Sequence, residues 1–154
     1  MRCRWRELLS CVGTLLTAAP AAAQQTREIG VQSIAAFADP AAVVAGVYGA
    51  WRTSGRTRLS ASLGLGTAGG ELAWRAEALG HFLLSPDERR RPGFYFAGGI
   101  AGVGGPVSRG YLVLIVGLEQ RPQARSGWVL EAGVGGGFRL SAGYRWRFPA
   151  GVDK

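Results

Sequence analysis

The segment that decides the fold is "FRLSAGYRWRF", residues 138–148, near the C-terminal end of the chain. Apolar residues alternate strictly with arginine, serine and glycine along it. Because successive side chains of an extended strand point to opposite faces, this alternation predicts a β-strand with one aromatic-rich face and one face that carries three arginines. The pattern alone does not say which of the two faces meets water.

The first 23 residues predict a cleavable signal peptide. Three arginines within the first six residues precede an apolar stretch at 8–18, and three alanines end the segment at Ala23. Such an arrangement is typical of export signals, and the alternative is an amphipathic N-terminal helix. The mature chain is expected to begin at Gln24. Both cysteines, Cys3 and Cys11, would leave with the signal, so we expect neither a disulfide nor thiol chemistry in the exported protein.

Composition points to a membrane rather than to a nucleic acid. The 154 residues carry a formal net charge of +8, 47% of them are hydrophobic, and the mean hydropathy is +0.10. No later stretch reaches the 18 apolar residues of a membrane-spanning helix, which leaves strands as the way for such a chain to cross lipid. A basic chain can bind nucleic acid, but for an exported protein an anionic membrane surface is the expected partner.

Turn residues divide the mature chain into eight runs, most of them about as long as a tilted membrane-spanning strand. The sequence therefore predicts an all-β fold: one eight-stranded antiparallel up-and-down transmembrane barrel over residues 24–148, followed by a short tail at 149–154. Strand pairing is predicted to stop at Phe148, because the next residue, Pro149, cannot donate a ladder hydrogen bond. The runs lie near 26–37, 41–53, 57–67, 70–84, 94–103, 110–120, 127–134 and 138–148.

Two hairpin registers follow from matching apolar faces. Leu65 is predicted to pair with Leu72, which leaves residues 68–69 as a two-residue loop, a favoured length for a hairpin. Val134 is predicted to pair with Phe138 across a loop of three glycines. In both hairpins opposite charges then share the second face.

The second face is expected to be the barrel interior. An eight-stranded barrel has an interior that side chains just fill, and small residues such as Gly64, Gly99, Gly133 and Gly135 are expected to make room there for long arginines. Arg147 is placed inward near the end that holds the termini, with Glu119 as its expected counter-charge. The predicted interior charges are Arg58, Arg75, Glu77, Glu119, Glu131, Arg139 and Arg145.

The aromatic residues of the other face are predicted to form girdles at the two membrane interfaces. Most of them fall at the end of the barrel that holds both termini. The predicted girdle residues are Trp51, Trp74, Phe82, Phe94, Trp128, Trp146 and Phe148.

Arginine is concentrated in the turns at that same end. An interfacial basic turn that contacts lipid phosphates is predicted at Arg89, Arg90 and Arg91. The alternative is a turn that contacts only solvent. Further arginines are placed in neighbouring turns at Arg56, Arg121 and Arg125.

With these features the mature chain resembles the small eight-stranded outer-membrane barrels, the OmpA-like and OmpX-like group. The resemblance implies location in the outer membrane, contact with outer-membrane lipid, and a last strand that the barrel-assembly machinery reads. It departs from that group in its short loops and in the six residues that follow Phe148, which argues against a receptor or adhesin role. A monomer with a structural or interaction role and no catalysis is the expected function.

Three other interpretations stay open at this point. A soluble periplasmic or secreted barrel that carries an apolar ligand would show the same alternation with the faces exchanged. A lipid-modifying enzyme would need His81, with Ser85, Asp87 or Glu77 beside it. The segment "GLGTAG" at 64–69 matches a dinucleotide-binding glycine pattern, although glycines at a hairpin explain it as well. No cofactor is expected, and a single histidine without cysteine argues against a metal site.

Overall fold

The computed structural model describes residues 26–87, 91–106 and 108–149, and these form one closed antiparallel barrel in which each strand pairs with its neighbours along the chain. The first and last strands also pair, so the sheet has no open edge. The strands are β1 (Thr26–Phe37), β2 (Ala42–Arg52), β3 (Thr57–Ala68), β4 (Glu71–Leu83), β5 (Gly93–Gly104), β6 (Arg109–Glu119), β7 (Ser126–Val134) and β8 (Phe138–Pro149).

The predicted all-β fold with eight antiparallel strands is confirmed. Every strand begins and ends within one or two residues of its predicted run. Period-two alternation locates the strands because it produces two chemically distinct faces, and glycine and proline interrupt it at the turns. Within the described ranges, no helix is long and apolar enough to cross a membrane. The predicted signal peptide and residues 150–154 lie outside those ranges.

The register predicted for the β3–β4 hairpin is wrong by two residues. Leu65 lies opposite Trp74 rather than Leu72, and the loop is Gly69–Gly70. Both loop glycines have positive φ, +60° and +89°. A tight hairpin turn with two positive φ values favours glycine at both positions, and Ala68 would be strained there. The shift preserves which side chains point inward, because it equals one full period of the strand. It also shows that the "GLGTAG" segment is followed by a strand.

The register predicted for β7 and β8 is confirmed, with Val134 opposite Phe138. Closure of the barrel brings Phe37 opposite Phe138, and their ring centroids lie 6.1 Å apart. Pairing continues one residue beyond the predicted end, since Pro149 lies opposite Thr26.

The role predicted for the interior glycines holds at one of four positions. A Cβ added at Gly135 would lie 2.9 Å from Val113 Cγ2 and 3.3 Å from an Arg75 guanidinium nitrogen. At Gly64, Gly99 and Gly133 the nearest atom is instead a carbonyl oxygen of the neighbouring strand. These three glycines allow adjacent backbones to approach closely, which is a second common reason for glycine within a strand.

The two ends of the barrel differ in charge. The end that holds both termini, here the terminal end, exposes one acid, Asp87, and arginine in the turns at Arg56, Arg91, Arg121 and Arg125. The opposite, distal end exposes two acids, Asp39 and Glu71, together with Arg109.

Candidate functional site

Two clusters of charged side chains fill the barrel. The first, the terminal cluster, consists of Glu28, Arg58, Glu119, Arg145 and Arg147, all buried. Glu28 Oε2 accepts hydrogen bonds from Arg58 and Arg145 at 3.1 Å each, and its Oε1 accepts one from Arg147 at 3.1 Å. Glu119 is in contact with the same three arginines. Each carboxylate is therefore surrounded by three guanidinium groups.

The second, the distal cluster, consists of Arg75, Glu77, Glu131 and Arg139. Arg75 pairs with Glu77 at 2.7 Å and also donates to the carbonyl of Gly135 at 3.0 Å. Arg139 pairs with Glu131 at 3.0 Å and lies 3.5 Å from Glu77. Two cations and two anions balance in this cluster, whereas the terminal cluster has one cation in excess. Buried charges need such partners, because removal from water is costly.

Tyr95 connects the two clusters. Its ring lies 5.0 Å below the Arg58 guanidinium, and its hydroxyl donates to Glu131 Oε1 at 2.7 Å. Beside it is a cavity of about 20 Å³, lined by Gln32, Tyr48 and Glu131 among others, which is room for roughly one water molecule. Among the described residues, side chains of the two clusters and Tyr95 thus fill much of the barrel interior.

His81 points inward, near the terminal cluster. The guanidinium of Arg58 lies 3.2 Å from Nδ1, and Ser60 Oγ lies 2.7 Å from Nε2. A guanidinium only donates, so Nδ1 must accept, and the ring proton then sits on Nε2 and faces Ser60. In a nucleophilic triad the histidine accepts from serine and donates to a carboxylate. Here an arginine occupies the carboxylate's place, an arrangement that opposes activation of Ser60.

The residues suggested beside His81 are not its contacts. Ser85 and Asp87 lie exposed in the β4–β5 turn, where Gln123 Nε2 lies 3.5 Å from Asp87. Glu77 belongs to the distal cluster. Among the described residues, no group of three or more His, Cys, Asp or Glu side chains is arranged to hold a metal ion.

The outer face is apolar on every strand. Each strand exposes at least one large aliphatic or aromatic side chain to the surroundings of the barrel, for example Ile29, Val47, Leu63, Trp74, Ile100, Leu114, Leu130 and Leu140. Soluble monomers rarely expose contiguous apolar patches of more than a few hundred Å². A surface of this kind encircling the barrel is suited to an apolar surrounding.

The seven residues predicted for the aromatic girdles all point outward and are exposed. Six of them lie on the terminal half of the barrel, and Trp74 lies on the distal half. Tyr144 joins the terminal group: its ring makes edge contacts, each 5.1 Å between centroids, with Trp128 and Trp146, and its hydroxyl bonds Ser126. The predicted basic turn is described only at Arg91, which is exposed. Arg89 and Arg90 lie outside the described residues.

All seven side chains predicted as interior charges are buried within the two clusters. Glu28 and Tyr95 are also buried inside the barrel, although the sequence pattern did not predict them there. The signal that would have found Glu28 is the closing register of the barrel, which sets it opposite Arg147. Tyr95 shares its face with alanine and glycine on β5, so its neighbours along the chain gave no sign of a polar partner.

The chain is similar to known proteins in its fold and not in its sequence. No protein-family model matches the sequence, and no curated protein matches it. Among solved structures, the crystal structure of Neisserial surface protein A superposes with a TM-score of 0.57 at 9% identity, covering 80% of this chain and 97% of that one. The de novo designed protein TMB2.3 superposes with a TM-score of 0.57 at 15% identity, covering 84% and 99%. The resemblance to small eight-stranded outer-membrane barrels is therefore confirmed for the architecture.

Proposed function

We propose that the protein is an integral outer-membrane β-barrel with a structural or interaction role and no catalytic activity. The observation that carries this proposal is the inversion of its two faces: arginine and glutamate fill the inside, and large apolar side chains cover the outside of a closed sheet. In water this arrangement would expose the apolar surface and bury the charges. In a bilayer the apolar outer side chains contact the lipid hydrocarbon, and the charged side chains inside the barrel do not contact lipid.

The soluble carrier needs an empty, apolar interior. The interior instead holds two ion-pair clusters, and the cavity beside Tyr95 is of about 20 Å³. A drug-sized ligand requires a pocket of about 300 Å³ or more. Filling by charged groups thus favours the membrane barrel over the carrier.

The electrostatics around His81 support the absence of serine-type catalysis. With Arg58 on Nδ1 and the proton of Nε2 directed at Ser60, the ring has no basic nitrogen free to accept the serine proton. We further propose export by the N-terminal signal, recognition of β8 by the barrel-assembly machinery, and a monomeric state. The closed sheet supports the last of these, since it offers no unpaired edge for another chain.

Membrane extraction tests the location. We expect the exported protein to stay in the outer-membrane fraction through washes with high salt and alkaline carbonate, because its apolar surface, not a charged contact, holds it there. Release into the soluble fraction would favour the soluble carrier.

A pair of matched substitutions tests the orientation of the faces. Leu114 lies at the middle of β6 with 64% of its surface exposed, and Leu72 lies at the distal end of β4 with 76% exposed. Arginine on the lipid face costs roughly 2–4 kcal/mol at the midplane and about 0–1 kcal/mol near the interface. We expect Leu114→Arg to lower the free energy of unfolding in lipid vesicles by the larger amount and Leu72→Arg by the smaller. Equal, small effects would show that the outer face does not meet lipid.

A further inference from the structure

The small cavity beside Tyr95 lies where polar side chains of three neighbouring strands meet. Tyr48 on β2 and Arg145 on β8 lie opposite the same residue of β1, Gly30, on its two sides. Gln32 follows two positions further along β1. The side chains of Tyr48, Gln32 and Arg145 all line the cavity, whose volume is about 20 Å³.

Glycine separates these side chains along the barrel wall. Gly30 lies between the tyrosine and the arginine, and Gly46 and Gly143 lie on the two sides of Gln32. None of the three glycines places a side chain inside the barrel. The tyrosine and the arginine therefore face one common space across two strand spacings, roughly 10 Å between their backbones.

Two donors at this cavity have no acceptor in the protein. The Tyr48 hydroxyl and the Arg145 Nε are buried, and among the described residues neither has a hydrogen-bond partner. The amide nitrogen of Gln32 is a third donor at the same cavity. Buried polar groups nearly always have a partner, and an ordered water or an ion serves where no protein group does. The convergence of these donors indicates an acceptor between them.

Charge favours an anion over a water molecule as this acceptor. The terminal cluster, to which Arg145 belongs, has three guanidinium groups for two carboxylates, which leaves one buried positive charge without compensation. Glu131 also lines the cavity, but its oxygens already accept hydrogen bonds from Tyr95, Arg139 and Ser141, and Arg139 balances its charge. A water molecule would satisfy the donors and leave the excess charge, whereas an anion does both.

We propose that this cavity binds one small monovalent anion of the size of chloride, held by the Tyr48 hydroxyl, the Arg145 Nε and the Gln32 amide. The volume admits a single occupant about as large as a water molecule. A halide fits this limit, and sulfate, phosphate and organic acids exceed it. The bound ion neutralises the terminal cluster and accepts the hydrogen bonds that the protein leaves unmade. The site is a property of the folded barrel and does not depend on the proposed membrane location.

Anomalous diffraction from crystals grown with bromide in place of chloride tests the position of the ion. We expect one bromide peak inside the barrel, within hydrogen-bonding distance of the Tyr48 hydroxyl and the Arg145 Nε. Density without an anomalous signal at this position would identify a water molecule and overturn the proposal.

Urea titration of the barrel in detergent micelles tests binding in solution, with chloride exchanged for gluconate at constant ionic strength. Because the ion binds only the folded state, the unfolding equilibrium constant should fall about tenfold for each tenfold rise in chloride above the dissociation constant. Tyr48→Phe removes one hydrogen bond to a charged group and should raise that dissociation constant about tenfold. Gln32→Glu places a carboxylate at the cavity in place of the ion, so the dependence on chloride should be lost.

Tyr111→Phe is the matched control. It removes a tyrosine hydroxyl at the distal end of β6, outside this cavity, and we expect it to respond to chloride as wild type does. Equal stability of the wild-type protein in the two salts would overturn the proposal even if a bromide peak is found, since binding would then occur at crystal concentration only. Equal chloride dependence of Tyr48→Phe and Tyr111→Phe would overturn it too, as would chloride dependence that persists in Gln32→Glu.

Discussion

Glu28 accepts hydrogen bonds from Arg58 on β3 and from Arg145 and Arg147 on β8, although it comes from neither strand. Its carboxylate is almost completely buried, with 1% of the residue exposed. Removing one member of a buried ion-pair network lowers the stability of the fold, because it leaves the remaining charges buried without a partner of opposite sign.

We expect Glu28→Gln to lower the free energy of unfolding by about 3–5 kcal/mol, because it leaves three buried guanidinium groups around a single carboxylate. Urea titration of the barrel in lipid vesicles, followed by tryptophan fluorescence, measures the change. Glu71→Gln is the control: this acid is exposed at the distal turn, and we expect a change within about 0.5 kcal/mol. If the two variants unfold alike, the terminal cluster contributes little to stability.

Residues on strands with a clean alternation could be assigned to a face from the sequence. Arg139 and Arg145 alternate with aromatic and aliphatic residues on β8, and parity placed both inward. On β1 the outer face contains Arg27 and Ser33 beside Ile29 and Val31, so polar residues occur on both faces. The alternation along β1 therefore did not decide which face Glu28 belongs to. Only the pairing of β1 with β8, which depends on closure of the whole sheet, resolves it.

At the scale of the strand, hairpin registers could be predicted where the turn left no choice. Three consecutive glycines between β7 and β8 fixed that register, and it was correct. Between β3 and β4 the face pattern fitted two registers that differ by two residues. The positive φ of Gly69 and Gly70 decides between the two registers. Matching of apolar faces alone could not choose between them.

The last strand offers a test of its terminal aromatic residue. Phe148 points outward, lies opposite Arg27 at the seam, and is 52% exposed. We expect Phe148→Asp to reduce the folded protein in the outer membrane, because it places a charge in the aromatic girdle and alters the end that the assembly machinery is proposed to read. The readout is the fraction that migrates as a compact, heat-modifiable band without boiling.

Removal of residues 150–154 is the control for that strand. Pairing ends at Pro149, and chain ends beyond the last pairing generally tolerate change. We expect the truncated protein to assemble normally. A truncation that fails while Phe148→Asp assembles would show that the end of the chain, rather than the aromatic residue, directs assembly.

For the whole molecule, Neisserial surface protein A and the designed protein TMB2.3 superpose on this chain at only 9% and 15% identity. Strand number, alternation and turn placement therefore suffice to define the architecture, which explains why it could be predicted from one sequence. The arrangement of the ion pairs could not be predicted in this way. It depends on side chains from non-adjacent strands, and single-strand patterns carry no information about it.

The filled interior predicts poor conduction. Two ion-pair clusters and Tyr95 occupy the barrel along its axis, and the cavity between them is of about 20 Å³. We expect purified protein in planar lipid bilayers to show no large, stable channels, as in eight-stranded barrels whose side chains fill the lumen. Long-lived openings with a large unitary conductance would contradict the filled interior.

The terminal cluster also bears on the order of assembly. Its members come from β1, β3, β6 and β8, so no single hairpin contains a neutral set. The β3–β4 hairpin, for example, carries Arg58 without Glu28 or Glu119. If it entered the hydrocarbon alone, it would bring a guanidinium with no counter-ion, which is costly at that depth. The two carboxylates and the three guanidinium groups come together only when the first and last strands meet. If the protein spans a membrane as proposed, we expect insertion to be concerted: the seam closes and the guanidinium groups gain their carboxylate partners in the same step, so partly inserted intermediates of two or four strands should not accumulate.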